Sequence, residues 1–486
     1  MAEKFVKTKK EVGFVVSTQD YLVNLEGLPS AKINDIVTTK SGGRALVSAL
    51  SKNTVEALML DPERPKPGDY FEMSGGTLTL PLGVNMFGRV INPLGVPLDG
   101  KSTLPPGGDA LDLDTVAPGI DGREVITRQF YTGITIVDTL LPIGRGQREL
   151  VLCEPRSGKE AFFLDVILSL KGKGVVCIYA AIGRSEVEVK RFAEDIENQG
   201  ASEHTIIVAA TSNESAPMII IVPAVASSLA EYYRNSGKDV LLILDDLATH
   251  AKYSREISLL AGRVPGRESY PADIFYQHSS QLERGGSFNE GYKNGAITLL
   301  PTIEVNIESF TNLIPTNVMS ITDGHLLFSA ALRSTGAYPA IEVDRSVTRV
   351  GRQTQMFIHK QVSDKVRGLI ADFRELEKYA RFGSELSTET QLKLKRGKIT
   401  EELIKQAPLS PIHYGVQIQL LALVFAGFYD EMDEIKAKEV KGKLVKVLTE
   451  SEPFKSQNEK MKETKLDDLI KLLTDNKGIL EAACQQ

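Results

Sequence analysis

The stretch QRELVLCEPRSGKEAFFLDVILSL, residues 147–170, decides the fold. An apolar strand (149–152) runs through a polar loop (153–159) into a helical pattern. In that setting successive N–H groups and the positive end of a helix can cradle a phosphate. Yet CEPRSGKE (153–160) keeps only Gly158-Lys159 of the usual eight-position loop. Cys153 replaces the first glycine, Pro155 removes an N–H, and Glu160 replaces the Ser or Thr that would hold Mg²⁺. A carboxylate about 4 Å from a phosphate charge is repelled by roughly 4 kcal/mol at an effective dielectric near 20. A bridging magnesium ion reverses that sign only if the Glu160 side chain finds room. Read alone, the stretch is either a strand-to-helix turn or a weakened nucleotide site resting on Arg156, Ser157, Gly158 and Lys159.

Outward from the loop, LVLCE, GVVCIYAAIG, TIIVAAT and DVLLILDD read as continuous apolar strands with room for helices between them, the pattern of a mostly parallel sheet covered on both faces. Before them, EVGFVVST, KINDIVTT, RALVSALS and TVEALML are short runs broken by Gly, Pro, Asp and Asn, which predict a small β-barrel. After them, FRELEKYARF, TEELIKQ and LLALVFAGFYDEMDEIK predict helices. The expected fold is therefore multidomain: a barrel over 1–80, an α/β nucleotide-binding domain over 81–355 and a helical domain over 356–486. The Pro/Gly-rich stretch from Asn92 to Asp109 reads as an ordered linker without regular structure. The polar segment 451–464 reads as mobile, and LDDLIKLL after it as a short amphipathic helix.

Bulk properties narrow the function. At 486 residues, 42% apolar and 25% charged, the chain is a folded multidomain protein. Its 57 basic against 63 acidic residues, a net charge of -6, argue against a dedicated nucleic-acid binder. The start, MAEKFVKTKKEVGF, lacks the apolar stretch of a signal peptide. The apolar runs from Met218 and Leu420 fall short of the roughly 20 residues that cross hydrocarbon. Three scattered cysteines, Cys153, Cys177 and Cys484, support neither a disulfide framework nor a zinc site and favour a reducing cytosol.

LLILDDLATH offers a second element, an apolar strand ending in Asp245 and Asp246. An acid there holds Mg²⁺ or metal-bound water in phosphate-loop enzymes; the plainer alternative is a solvated strand end capping the next segment. GVVCIYAAIG is followed by Arg184, a cation that cannot orient an attacking water as a base. A catalytically complete site on this chain is not expected.

In order along the chain, PIGRGQREL, CIYAAIG, LDDL, PGRESYPADIFYQHS, IPTNVMSITDG, RSVTRVG, FGSEL and LLALVFAGFYD make it resemble the α subunits of F-type ATP synthases from about residue 12 to 435. The resemblance implies a barrel crown, a RecA-like nucleotide domain and a helical bundle, three such chains alternating with three catalytic β-type subunits around a γ-type central stalk. It also implies a peripheral complex on the cytoplasmic face of the membrane, with a peripheral stalk and an ion-translocating sector as further partners. ATP or ADP with Mg²⁺ would be held mainly by the β-type partner.

By the same resemblance, Arg349 in SVTRVG is the arginine that reaches the γ-phosphate in the neighbouring β-type site. Read blind, an arginine after a strand is a surface or salt-bridge residue; as a finger its planar guanidinium stabilises phosphoryl charge. Lys159 and the metal-associated Asp245 fall on the chain's own non-catalytic pocket, and Glu304 on an acid of that pocket or on an interface pair. Arg184 stands where the family has Gln. At the base end the family's Gly-Ile-Arg-Pro is Gly336-Ala337-Tyr338-Pro339, and its Gln-x-Gln becomes Gln406-Ala407-Pro408; Tyr338 is expected to offer a stacking face. These departures predict a weak or empty own site. The chain also enters its barrel without the family's extra N-terminal helix, which predicts another mode of stalk attachment. Two alternatives remain, an F1-like ring driving a specialised mechanical motor and a self-sufficient export-type hexameric ATPase, the latter opposed by Cys153, Glu160 and Arg184.

Overall fold

The computed structural model describes residues 11–80, 85–105, 109–110, 113, 115–380 and 387–485. The FGSEL stretch (382–386), the first ten residues and 106–108 of the linker lie outside the described residues.

The N-terminal runs form β1 (Val12–Gln19), β2 (Leu22–Glu26), β3 (Asp35–Thr39), β4 (Arg44–Leu50), β5 (Val55–Met59) and β6 (Tyr70–Thr77). They close into a barrel in the order β1-β2-β5-β4-β3-β6, which leaves no unpaired edge. Bulges at Val15/Ser17 and Val47/Ala49 bend the strands enough for so small a sheet to close. Val23, Leu25, Val37, Val47, Ala57 and Phe71 fill the interior.

The later strands that carry the sites are, in chain order, β7 (Val90–Ile91), β8 (Glu149–Cys153), β9 (Val176–Arg184), β10 (Thr205–Thr211), β11 (Asp239–Asp245), β12 (Ala296–Glu304), β13 (Gly324–Phe328) and β14 (Val347–Thr348). The helices that concern the sites are α1 (Lys159–Ser169), α2 (Glu186–Asn198), α3 (Ala216–Asn235) and α4 (Leu247–Leu260). The chain forms two compact units, Met1–Glu124 with Gly174–Ile321 and Val125–Lys173 with Thr322–Gln486.

In the first unit β12, β11, β9, β10 and β7 pair in parallel in that order. All of β10 and Val176–Ile182 of β9 are buried, as strands covered on both faces must be. Helix α2 starts with a capping box from Ser185 and Glu188, and α4 with Asp246 accepting the Thr249 N–H. Arg184, Thr211, Asp245 and Glu304 thus end their strands at the carboxyl edge, where ligands bind in open α/β sheets. Helix α3 is longer than the apolar run inside it. It reaches the length and hydropathy of a membrane span, but 83% of its apolar window is buried within the protein, as in a core helix.

In the second unit β8 runs parallel to β13, from Glu149↔Gly324 to Cys153↔Phe328. Strand β14 lies antiparallel on the far side of β13. Beyond it come α5 (Phe357–Ala380), α6 (Thr388–Ile404), α7 (Tyr414–Phe425), α8 (Glu434–Glu450), α9 (Phe454–Glu459), α10 (Leu466–Asp475) and α11 (Lys477–Gln485). Helix α7 is buried from Gly415 to Val424 and packs against α5, α6, α8, α9 and α10, which makes it the axis of a bundle. Barrel, RecA-like α/β region and helical bundle follow in the order expected.

Two local expectations are corrected. The polar segment 451–464 is not a loose tail: Phe454 and Met461 are fully buried, and the Asn458 side chain donates to Leu448 O while accepting from Gln419. Two apolar anchors suffice to seat an otherwise polar stretch. The linker is mostly turns, tied by Arg89 to Asp99 at 2.7 Å, but Asp109–Ala110 pairs with Thr79–Leu80 as a short β-ladder. Helix α10 forms where LDDLIKLL predicts it, with Leu466, Leu469 and Leu473 inward.

Candidate functional site

In the second unit the loop leaves β8 at Cys153 and enters α1 at Lys159. Gly158, at φ 92°, makes the left-handed turn that starts the helix, and Arg156 takes φ 64° at the exposed tip. The Ser157 hydroxyl donates to Glu154 O at 2.7 Å and is spent inside the loop. Lys159 is 2% exposed, with Nζ 4.0 Å from the half-exposed Glu160 carboxylate, so the acid that replaced a hydroxyl draws on the lysine's charge.

The residues expected at a base end pair with the chain's own side chains and backbone. Tyr338, expected as a stacking face, is 3% exposed, and its hydroxyl donates to Asp165 of α1 at 2.5 Å. Burial pushes the Asp165 carboxyl up to about 6, with the Tyr338 hydrogen bond acting against it. The Arg333 guanidinium lies 5.6 Å from the Tyr338 ring centre, and a Cβ on Gly158 would stand 3.4 Å from its Nε. Gln406 accepts from the Thr135 N–H and hydroxyl at 2.9 and 3.1 Å and donates to Gly133 O and Ser410 O, both at 3.1 Å. That uses both amide hydrogens and both lone pairs. The inward-facing Tyr338 and the fully engaged Gln406 hold the fold where base contacts were expected.

Arg349 follows β14 and is exposed. Its backbone N–H donates to Asp323 O at 3.1 Å. Asp323 is itself gripped by Arg148 through Nε at 3.0 Å and Nη2 at 2.7 Å. Among the described residues the Arg349 guanidinium makes no hydrogen bond or ion pair. Fully buried Glu149 is pushed well above the usual carboxylate range by burial, with the charge of Arg349 acting the other way.

In the first unit Asp245, Asp246 and Glu304 bring carboxylate oxygens within 4.8 Å of one another. Oxygen donors so arranged suit a hard cation, but a cation is already among them. Arg184 Nη1 lies 3.0 Å from Glu304 and 4.0 Å from Asp246, Nε 3.8 Å from Asp245, and Nη2 3.0 Å from Glu188. Asp245 is fully buried and also accepts from the Tyr179 hydroxyl at 2.7 Å. Burial acts against the charge on Arg184, and Asp245 and Glu304 outweigh it, so the guanidinium stays protonated. A Mg²⁺ ion needs near-octahedral oxygens at about 2.0–2.1 Å, and these lone pairs already face a guanidinium. At about 4 Å and an effective dielectric near 20, the guanidinium would repel a doubly charged ion by roughly 8 kcal/mol. As arranged, the residues do not fit a metal.

Residues 133–348 match the ATP synthase alpha/beta family, nucleotide-binding domain, and residues 355–476 match the ATP synthase alpha/beta chain, C terminal domain. Over 421 residues the chain is 39% identical to ATP synthase subunit alpha of Lactobacillus johnsonii, covering 86% of this chain and 84% of the relative. The same subunit of Caldanaerobacter subterraneus subsp. tengcongensis is 37% identical over 445 residues, 91% of this chain and 88% of the relative. The chain belongs to the ATP synthase alpha/beta family. Three features of this family member lay outside the sequence reading: the Arg148–Asp323 clamp under Arg349, Arg333 beside the loop, and Arg184 seated among the acids. The clamp joins residues 175 apart in sequence, which no local pattern signals.

Proposed function

We propose that this chain is a non-catalytic α-type subunit of a rotary F1 ATP synthase or ATPase. It alternates with β-type subunits in a six-membered ring about a γ-type stalk and lends Arg349 to the nucleotide in the neighbouring β-type site. Its own nucleotide site is weak or empty, and MgATP or MgADP is held mainly by the partner. In a complete synthase the ring is a peripheral complex, joined through stalks to an ion-translocating membrane sector.

The carrying observation is the contrast between two arginines. Arg184 is fully engaged inside the chain, whereas Arg349 is exposed, fixed through its backbone and without a hydrogen bond or ion pair at its guanidinium among the described residues. A finger needs that combination, a rigid root and a free fork. The spent Ser157 hydroxyl, the inward Tyr338 and the engaged Gln406 support the weak-site reading.

The test is reconstitution of the chain with a β-type partner and a central stalk. Arg349→Ala is expected to lower ATP turnover by about 10³-fold or more, the range of finger arginines. Arg349→Lys should recover little, since a point charge does not reproduce the fork. Nucleotide should be retained only in the β-type sites. Unchanged turnover in Arg349→Ala, or tightly held Mg-nucleotide on Lys159 that is hydrolysed there, would refute the reading.

A further inference from the structure

We infer that Arg184 is a tethered counter-ion standing in the place of a divalent metal, so that the acid cluster at the ends of β11 and β12 excludes Mg²⁺. The inference rests on the first unit alone and does not depend on the role given to Arg349.

The guanidinium is built in rather than resting against a surface. Each of its three nitrogens faces an acid: Nη1 towards Glu304 and Asp246, Nε towards Asp245, Nη2 towards Glu188. Its side chain is 12% exposed and the Asp245 carboxylate is fully buried, so most of the exchange takes place out of water. The arm is aimed from both sides. Gly183, before it, takes φ 64°, where an added Cβ would also lie 2.8 Å from the Thr249 methyl. Beyond it, Glu188 is locked by the capping box, its Oε2 accepting from the Ser185 N–H at 3.1 Å and hydroxyl at 2.8 Å, while its other oxygen meets Arg184.

Three carboxylates within 4.8 Å of one another cannot all stay charged without a cation or a proton. Arginine supplies the cation permanently and without dependence on metal supply, because it does not lose its proton in the working pH range. Removing it should therefore uncover a divalent site made of the same three acids.

The experiment titrates the full-length chain, without nucleotide, with Mn²⁺ alone and counts bound ion by electron paramagnetic resonance. The wild type is expected to show no site that disappears in Asp245→Asn. Arg184→Gln should gain one Mn²⁺ per chain, at least tenfold tighter than any wild-type binding, and Arg184→Gln/Asp245→Asn should lose it. Arg184→Lys, which keeps a cation, should remain metal-free. A wild-type Mn²⁺ site abolished by Asp245→Asn overturns the inference, as does a folded Arg184→Gln chain that gains no ion. If Arg184→Gln fails to fold in metal-free buffer, recovery in millimolar Mn²⁺ or Mg²⁺ supports it, and failure in both overturns it. None of these outcomes bears on turnover of the assembled ring, so the two proposals fail separately.

Discussion

At the scale of single residues, a side chain's partner decides its function more than its type does. Tyr338 shows this most directly, because a tyrosine before proline could present its face to a ligand, whereas here its hydroxyl serves Asp165 inside the second unit. Tyr338→Phe takes the hydroxyl donor from a buried carboxylate that keeps only backbone contacts from Leu409 and Ser410, for which a loss of about 1–3 kcal/mol is expected. The pH dependence gives this prediction its sign. The Asp165 carboxyl is held up to about 6, so above that pH it is ionised and needs the hydroxyl most. The deficit of Tyr338→Phe should therefore be greatest near pH 8 and shrink as the pH falls below 6. Denaturant unfolding of both proteins across that range measures it; a deficit independent of pH would mean that the hydroxyl acts without regard to the charge on Asp165, and no deficit at all would mean that the ring alone suffices.

At the scale of elements, strands β8, β13 and β14 form the platform for Arg349, and Gly324 is the tightest point in it. A Cβ there would lie 2.3 Å from Val347 O and 2.5 Å from a Glu149 carboxylate oxygen. Gly324→Ala must push β14 away, at a cost of about 1–3 kcal/mol for overpacking, and shift the root of the proposed finger, Arg349. The expected outcome is a chain that still folds but supports at least tenfold lower turnover when reconstituted with its β-type partner. Equal turnover would separate the platform from the finger. The strands themselves were legible in the sequence, because runs such as TIIVAAT are buried on both faces and so carry no polar interruption. The loop's strand-to-helix setting and the axial helix LLALVF were legible for similar reasons. The acid cluster was half legible. Asp245 stood out at a strand end, but the seating of Arg184 against Glu304, 120 residues away, depends on neighbouring strands coming together in space. The seated segment around Phe454 escaped because two apolar anchors in a polar stretch make no period.

At the scale of the whole molecule, the two units differ in how they hold protons, which predicts an ordered response to acid. In the first unit, burial pushes His250 down to about 4 and His278 down to about 3, the latter also disfavoured by the charge of His250. Unfolded histidine titrates near 6.5, so between that value and the folded one the unfolded chain binds more protons. Each buried histidine then removes about 1.4 kcal/mol of stability per pH unit as the pH falls. Glu214, raised by burial, offsets part of this. In the second unit His359, His325 and His413 are also lowered by burial. There, however, burial raises Asp138 and Asp165 to about 6 each and Glu149 well above its usual range. For those carboxyls the folded state binds more protons than the unfolded chain as the pH falls towards the ordinary carboxylate range, so acid adds stability there and opposes the histidines. Hydrogen exchange, corrected for its intrinsic pH dependence and compared at pH 6.5 and 4.5, should show α4 and the Ile274–Leu282 helix losing protection first. Segments 132–140 and 159–169 should hold. Replacing His278 by Leu removes an imidazole whose two nitrogens have no partner among the described residues, and should blunt the loss around α4. Equal loss across both units, or an unchanged response in His278→Leu, would show that acid acts through the chain's net charge rather than through these buried rings.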